Sequence, residues 1–209
     1  DYLIDGMVFT FNEQKVQDTL GYTAHHPKDK MAYKFRGNSA RTIIQEIIWQ
    51  VSRNGILTPV AQVEPVDLSG AMIARVTLHN YGVVQEFQLK KNDLIEIERS
   101  GEVIPKFIAV IQESDDAFFI PSNCPCCYTP LTISDIWLSC ENKECSDRNI
   151  QMINYYIKNI GIEDLSSARI KEMFDKKIIT KVPDLYLLTE EILMQNISGV
   201  KEKLSKKLI

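Results

Sequence analysis

Trp49-Gln50-Val51-Ser52-Arg53-Asn54-Gly55-Ile56-Leu57-Thr58-Pro59-Val60-Ala61 reads as the end of one β-strand and the start of the next. Apolar and β-branched residues flank Asn54-Gly55, a dipeptide that favours tight turns. Working outward, the pattern predicts strands over residues 42–51 and 56–63, then 72–78, 94–99 and 103–111. Ser69-Gly70 and Ser100-Gly101 mark two further turns. One short helical stretch, residues 81–89, interrupts the series. Five strands with one helix among them suggest a small Greek-key barrel of the oligonucleotide-binding (OB) type over residues 36–120. Trp49 reads as core rather than as a base-stacking platform.

The flanks differ in texture. Residues 1–35 open with a β-rich run broken by Asp5-Gly6. Asn12 then looks like a helix N-cap and Gly21 like the helix stop. A polar loop with Pro27 leads to a short apolar segment at 31–35. Residues 121–149 hold every cysteine of the chain, and residues 150–209 turn helical, with Lys, Glu, Leu and Ile at helical spacing. The expected class is multidomain α+β: the end of one domain, an OB-fold barrel, a four-cysteine finger and a helical tail.

Bulk properties bound the function. Hydrophobic residues make up 44% of 209, enough for packed cores. No apolar run approaches the roughly 20 residues of a membrane span. The first residues, Asp1-Tyr2-Leu3-Ile4-Asp5, have no signal-peptide character, so a cytoplasmic setting is expected (nucleoid-associated, or the cytoplasm of a virus-infected host). The absence of an initial Met suggests a processed or excised piece. Net charge is −4, but the last nine residues contain four lysines against one glutamate. Any nucleic-acid contact must therefore be local.

The cysteines fall as Cys124-x2-Cys127, twelve residues, then Cys140-x4-Cys145. Two close pairs across a short loop form the pattern of a closed, tetrahedral four-thiolate zinc site, structural rather than catalytic. Pro125 and Pro130 help to fix the first knuckle. Cys126, inside the first pair, is the spare. An iron centre of the rubredoxin type, buried free thiols and a redox pair are the alternatives.

Two short motifs hint at nucleotide chemistry. Asp5-Gly6 alone reads as a turn, and Lys34 in Ala32-Tyr33-Lys34-Phe35 as a lysine snorkelling from a strand. Together they offer a carboxylate to hold a divalent metal against a phosphate and a cation to neutralise charge growing on it. In the tail, Ile197-Ser198-Gly199-Val200-Lys201 followed by Leu204 and Leu208 looks like a helix-hairpin-helix. There Gly199 would allow the turn, exposed N–H groups would bind a DNA phosphate, and Lys201, Lys203, Lys206 and Lys207 would add charge. An ordinary amphipathic helix pair is the plainer alternative. Leu165-Ser166-Ser167-Ala168-Arg169 lacks glycines and reads as a degenerate hairpin kept for packing.

In order along the chain, Asp5-Gly6, Leu20-Gly21-Tyr22-Thr23 and Ala32-Tyr33-Lys34-Phe35 resemble the last two nucleotidyltransferase motifs of bacterial-type NAD-dependent DNA ligases. The stretch from Trp49 to Ala61 resembles the opening of that family's barrel domain. Glu64-Pro65-Val66, Thr77-Leu78-His79-Asn80 and Arg99-Ser100-Gly101-Glu102-Val103-Ile104-Pro105 extend the likeness. The cysteines stand where the family keeps a zinc finger, and the tail where it keeps helix-hairpin-helix motifs.

The resemblance implies nick sealing in duplex DNA by adenylyl transfer from NAD. It assigns Asp5 and Gly6 to nucleotide binding, with Asp5 holding magnesium, Lys34 to the adenylate phosphate, and Arg53 to the nick. Arg53 could otherwise be a plain turn residue, and His79 and Asn80 read as polar barrel caps. Three departures accompany the likeness. Thr10 replaces a usual lysine, Lys28-Asp29 stands where the family has Arg-Trp, and no Lys-x-Asp-Gly nucleophile motif occurs. The expectation is a fragment, or one subunit of a split ligase whose partner chain or missing segment carries the nucleophilic lysine. The competing expectations are a non-catalytic DNA clamp derived from a ligase, and a zinc-ribbon protein that binds another protein.

Overall fold

The computed structural model describes residues 6–34, 37–99 and 105–209. Asp5, Phe35 and the Ser100-Gly101 turn lie outside them, and Lys34 is described as strand backbone alone. Strands β1 (Gly6–Thr10) and β2 (Lys30–Lys34) form an antiparallel pair around helix α1 (Gln14–Leu20). Gly21 ends α1 with φ 63, as expected. The N-cap is Glu13 rather than Asn12, and it makes no side-chain cap bond.

Five strands close the barrel: β3 (Asn38–Val51), β4 (Ile56–Leu68), β5 (Ala71–Thr77), β6 (Leu94–Arg99) and β7 (Lys106–Gln112). Strand β3 is long enough to serve two neighbours. It pairs β6 from Asn38 to Ile43 and β4 from Ile44 to Val51, with a register shift between Ile44 and Glu46 where it changes partner. Such an irregularity bends a strand sharply enough to turn a barrel corner. The circuit runs β3-β4-β5-β7-β6 and returns to β3, with β7 meeting β5 in parallel at Thr77 and Lys106. Closure leaves these five strands no open lateral edge in the circuit. Helix α2 (Tyr81–Glu86) sits between β5 and β6, with the Asn80 side chain accepting from Val83 N–H at 3.1 Å. All five expected strands are present: β3 and β4 are longer than the apolar runs that marked them, β6 has the expected bounds, β5 is shifted by one residue, and β7 is described from Lys106 to Gln112.

Alternation fills the interior. Leu57, Ala61 and Val63 of β4 point inward with Ile44, Val76, Ile95 and Ile97, all essentially buried, and Trp49 joins them. Each of the leucine, isoleucine and valine side chains contributes on the order of 2 kcal/mol of burial, and Ala61 about half that or less. Asp93 is fully buried, and its carboxylate accepts N–H bonds from Lys90 (2.9 Å) and Ser114 (2.8 Å). It thereby ties the entry of β6 to the exit of β7.

The hairpin β8 (Thr132–Ser134) and β9 (Trp137–Ser139) extends the barrel sheet, β9 pairing with β4 at Ile56–Ser139 and Leu57–Leu138. Helix α3 (Ser146–Ile160) starts directly after Cys145, its N-cap. Helices α4 (Ser167–Asp175), α5 (Glu190–Asn196) and α6 (Glu202–Leu208), with a 3-10 turn at Val182–Leu187, complete the chain. Ile150, Ile153 and Ile157 recur at helical spacing on α3 and pack with Ile170, Met173, Ile179, Leu193 and Ile197. This is a second core, separate from that of the barrel. Among the described residues no helix is long and apolar enough to cross a membrane.

Candidate metal centre and nucleic-acid interface

Cys124, Cys127, Cys140 and Cys145 bring their sulfurs within 4.8 Å of one another. A tetrahedral ion with metal–sulfur bonds of about 2.3 Å would hold four sulfurs about 3.8 Å apart. The donor set therefore fits a metal ion with little movement. The first knuckle is a backbone loop: Cys124 N–H bonds Thr129 O at 2.9 Å, and Tyr128 N–H bonds Cys124 O at 2.9 Å. Tyr128 takes φ 59 to make the turn. In the second, Cys145 N–H bonds Asn142 O at 3.2 Å. Cys126 stays outside the four, its sulfur 2.9 Å from Ser146 Oγ.

The thiols differ in proton affinity. Burial works to raise Cys127, but hydrogen bonds from Thr129 and Asn142 outweigh it and bring it down to about 6. Burial pushes Cys140 up to about 11 and raises Cys145 further. A bound cation would favour the thiolate of all four.

This centre is docked on the barrel. Cys140 N–H bonds Gly55 O at 2.8 Å, and Gly82 N–H bonds Ile136 O at 3.1 Å. Gly55 has φ 86, and a Cβ there would lie 2.4 Å from Cys140 O. The Asn54-Gly55 turn thus serves both the β3–β4 connection and the seat of the second knuckle.

Arg53 sits in that same turn. Its guanidinium carbon lies 3.6 Å from the centroid of the Tyr155 ring on α3. Among the described residues it has no hydrogen-bond or ion-pair partner. Arg53 and Tyr155 line a cleft of about 570 Å³ between barrel and helices, together with Ser52, Lys158, Ser166 and Ser167. Sequence reasoning singled out Arg53 but missed Tyr155 and Lys158. The available signal was the spacing of Gln151, Asn154, Tyr155 and Lys158, a polar stripe flanking the isoleucine face of α3.

The helical region makes two similar turns. Before α6, Gly199 takes φ 73 two residues ahead of the N-cap Lys201; before α4, Asp164 takes φ 64 two residues ahead of the N-cap Ser166. Aspartate adopts the left-handed region more readily than most residues, so the first turn forms without a glycine. The tail lysines are not equivalent. Lys206 pairs with Glu202 (2.6 Å), and Lys207 pairs with Asp164 (2.5 Å) and Glu163 (3.3 Å). Ser198 N–H donates to Glu172 at 3.2 Å, so an internal carboxylate already occupies that hairpin donor. Lys201 and Lys203 are exposed, with no carboxylate partner among the described residues. His25 and His26 lie in an exposed turn around Thr23.

At the N-terminal end, the β1–β2 register sets Gly6 opposite Lys34 and Thr10 opposite Lys30. Phe9, Thr10, Phe11, Lys28, Lys30 and Met31 line a cavity of about 300 Å³ there.

A five-stranded closed barrel with one helix between its third and fourth strands and a parallel closing pair is an OB fold, here with a four-thiol cluster seated on one turn. Residues 41–118 match the family model of the NAD-dependent DNA ligase OB-fold domain, and residues 1–38 that of the NAD-dependent DNA ligase adenylation domain. A DNA ligase of Desulfatibacillum aliphaticivorans is 41% identical over 91% of this chain. One from Helicobacter pylori is 39% identical over 92%, and one from Sulfurihydrogenibium azorense 34% over 97%. The chain covers 30% of the length of each of these relatives. The chain belongs to the NAD-dependent DNA ligase family.

Proposed function

We propose that this chain grips nicked duplex DNA and contributes the last two adenylyl-transfer motifs of a ligase that uses NAD. The carrying observation is the OB barrel with its docked four-cysteine cluster, joined in one chain to the end of an adenylation domain. In this reading residues 1–35 close the nucleotidyltransferase domain, 36–120 form the barrel, 121–149 the finger and 150–209 a partial helix-hairpin-helix region. Zinc suits the four soft thiolates and asks for no special d-electron geometry. Cys124, Cys127, Cys140 and Cys145 would hold it as a closed, structural site.

The chemistry of the reading is electrostatic. Asp5 would hold magnesium, the ion that screens phosphate charge in such transfers, beside Gly6 at the nucleotide. Lys34 neutralises the adenylate phosphate. Directly opposed residues of an antiparallel pair project to the same face, so Lys30 offers the cation that Thr10 does not. Arg53 grips a phosphate at the nick with paired N–H donors. Gly199, Lys201 and Lys203 bind the duplex backbone without reading sequence. The nucleophilic lysine and the nicotinamide half of NAD belong to a preceding segment or to a second chain.

Sealing of a 5′-adenylylated nicked duplex tests this, because it bypasses the nucleophilic lysine. Sealing is expected to fall at least about a hundredfold in Lys34→Ala and about tenfold in Lys30→Ala, the scale set by losing a charge partner of the transferring phosphoryl group. A chain that binds the nick but seals nothing, with or without an adenylation partner, would instead be a DNA clamp derived from a ligase.

A further inference from the structure

Arg53 is half-buried, charged at any working pH and without a hydrogen-bond or ion-pair partner among the described residues. An arginine in that position normally spends its donors on carboxylates or carbonyls. Here its one contact of note is the Tyr155 ring, 3.6 Å below the guanidinium carbon. A guanidinium seated on an aromatic face gives up rotational freedom but keeps its N–H edge available, because stacking engages the plane and hydrogen bonding engages the rim. The turn carrying Arg53 is itself fixed: Gly55 N–H bonds Ser52 O at 2.9 Å, and Gly55 O is held by Cys140. On the other side, Tyr155 rides on α3, whose first residue follows the metal-site Cys145. Both ends of the stack are therefore anchored to the same four-cysteine cluster. The cleft beside it presents Lys158 and the hydroxyls of Ser52, Ser166 and Ser167.

We propose that Tyr155 is a positioning residue for Arg53: its ring holds the guanidinium flat at the mouth of the barrel–helix cleft, with its donors presented to a phosphodiester. This rests on the reading that Arg53 contacts nicked DNA. It adds that the helical region prepares a barrel side chain for that contact, so the two units act on one phosphate together rather than as independent grips. Ordering the guanidinium beforehand removes part of the entropy cost of forming two N–H bonds at the moment of binding.

The test is binding of a fluorescein-labelled 5′-phosphorylated nicked duplex to the chain in a double-mutant cycle. Tyr155→Leu is expected to weaken binding about fivefold, the scale of one exposed cation–π contact. Tyr155→Phe, which keeps the ring face, should stay within about twofold of wild type on the same grounds. In an Arg53→Ala background, Tyr155→Leu should cause no further loss. The Arg53 Nε–H resonance should lose its ring-current shift in Tyr155→Leu but keep it in Tyr155→Phe, while melting temperature and bound metal stay unchanged. Full loss from Tyr155→Leu on top of Arg53→Ala would make the ring a plain structural or DNA contact and overturn the proposal. An inert Tyr155→Leu beside a damaging Arg53→Ala would overturn it while leaving the role of Arg53 intact. An inert Arg53→Ala would remove the DNA reading of Arg53, and this inference with it.

Discussion

Gly55 shows how much one residue can carry here. Its left-handed φ of 86 completes the β3–β4 turn, its carbonyl binds Cys140 N–H, and a methyl group would collide with Cys140 O. Gly55→Ala is expected to cost at least about 2 kcal/mol, the left-handed strain alone accounting for about half. Because the clash is with the second knuckle, the variant should lose metal to a competing chelator sooner than wild type. Thermal melting with a colorimetric zinc assay would check both, and an unchanged melting temperature with unchanged metal retention would contradict this account. The turn itself was legible in Asn54-Gly55. That it also seats the metal centre was not, because the partner, Cys140, lies 85 positions away and no local pattern encodes it. Arg53 was a candidate through the family resemblance alone, and its ring partner was missed because Tyr155 lies 102 positions away.

Among the elements, the strands were the most readable, because period-2 alternation and Gly-containing turns are local signals. Where β3 stops pairing with β6 and begins pairing with β4 was not readable, since a partner change leaves no mark on the alternation. The turn before α4 lacks glycine, as the sequence shows, and Asp164 supplies its left-handed residue, a substitution that no local pattern announces. The knuckles lend themselves to a pH prediction. Cys140, held at about 11, and Cys145, higher still, carry protons near neutrality, whereas Cys127, at about 6, has largely lost its own. Metal binding must displace at least the first two. Affinity is therefore highest at alkaline pH and falls as pH drops, by about a hundredfold per unit through neutrality if two protons leave. Competition titrations with a chromophoric chelator at pH 6.5, 7.5 and 8.5 would show a flat profile if the thiols were already ionised.

At the scale of the whole molecule, net charge misleads. A chain of net charge −4 can bind DNA if a few cations are left unspent. Lys206 and Lys207 are spent on Glu202, Glu163 and Asp164, whereas Lys201 and Lys203 are not. Removing Lys201 or Lys203 should lower the slope of log K against log salt for duplex binding by about one each, and removing Lys206 should leave it nearly unchanged. Equal slopes for all three variants would show that the internal pairs open on DNA.

Cys145 is at once the last sulfur of the cluster and the N-cap of α3, and Cys140 is bonded to the barrel turn. The four-cysteine cluster is thus wired in series between the barrel and the helices, not hung to one side. If zinc fills the cluster, as proposed, its loss would leave the barrel its own core, and the fault would surface as slackness between two sound parts: intact jaws and a loose pivot.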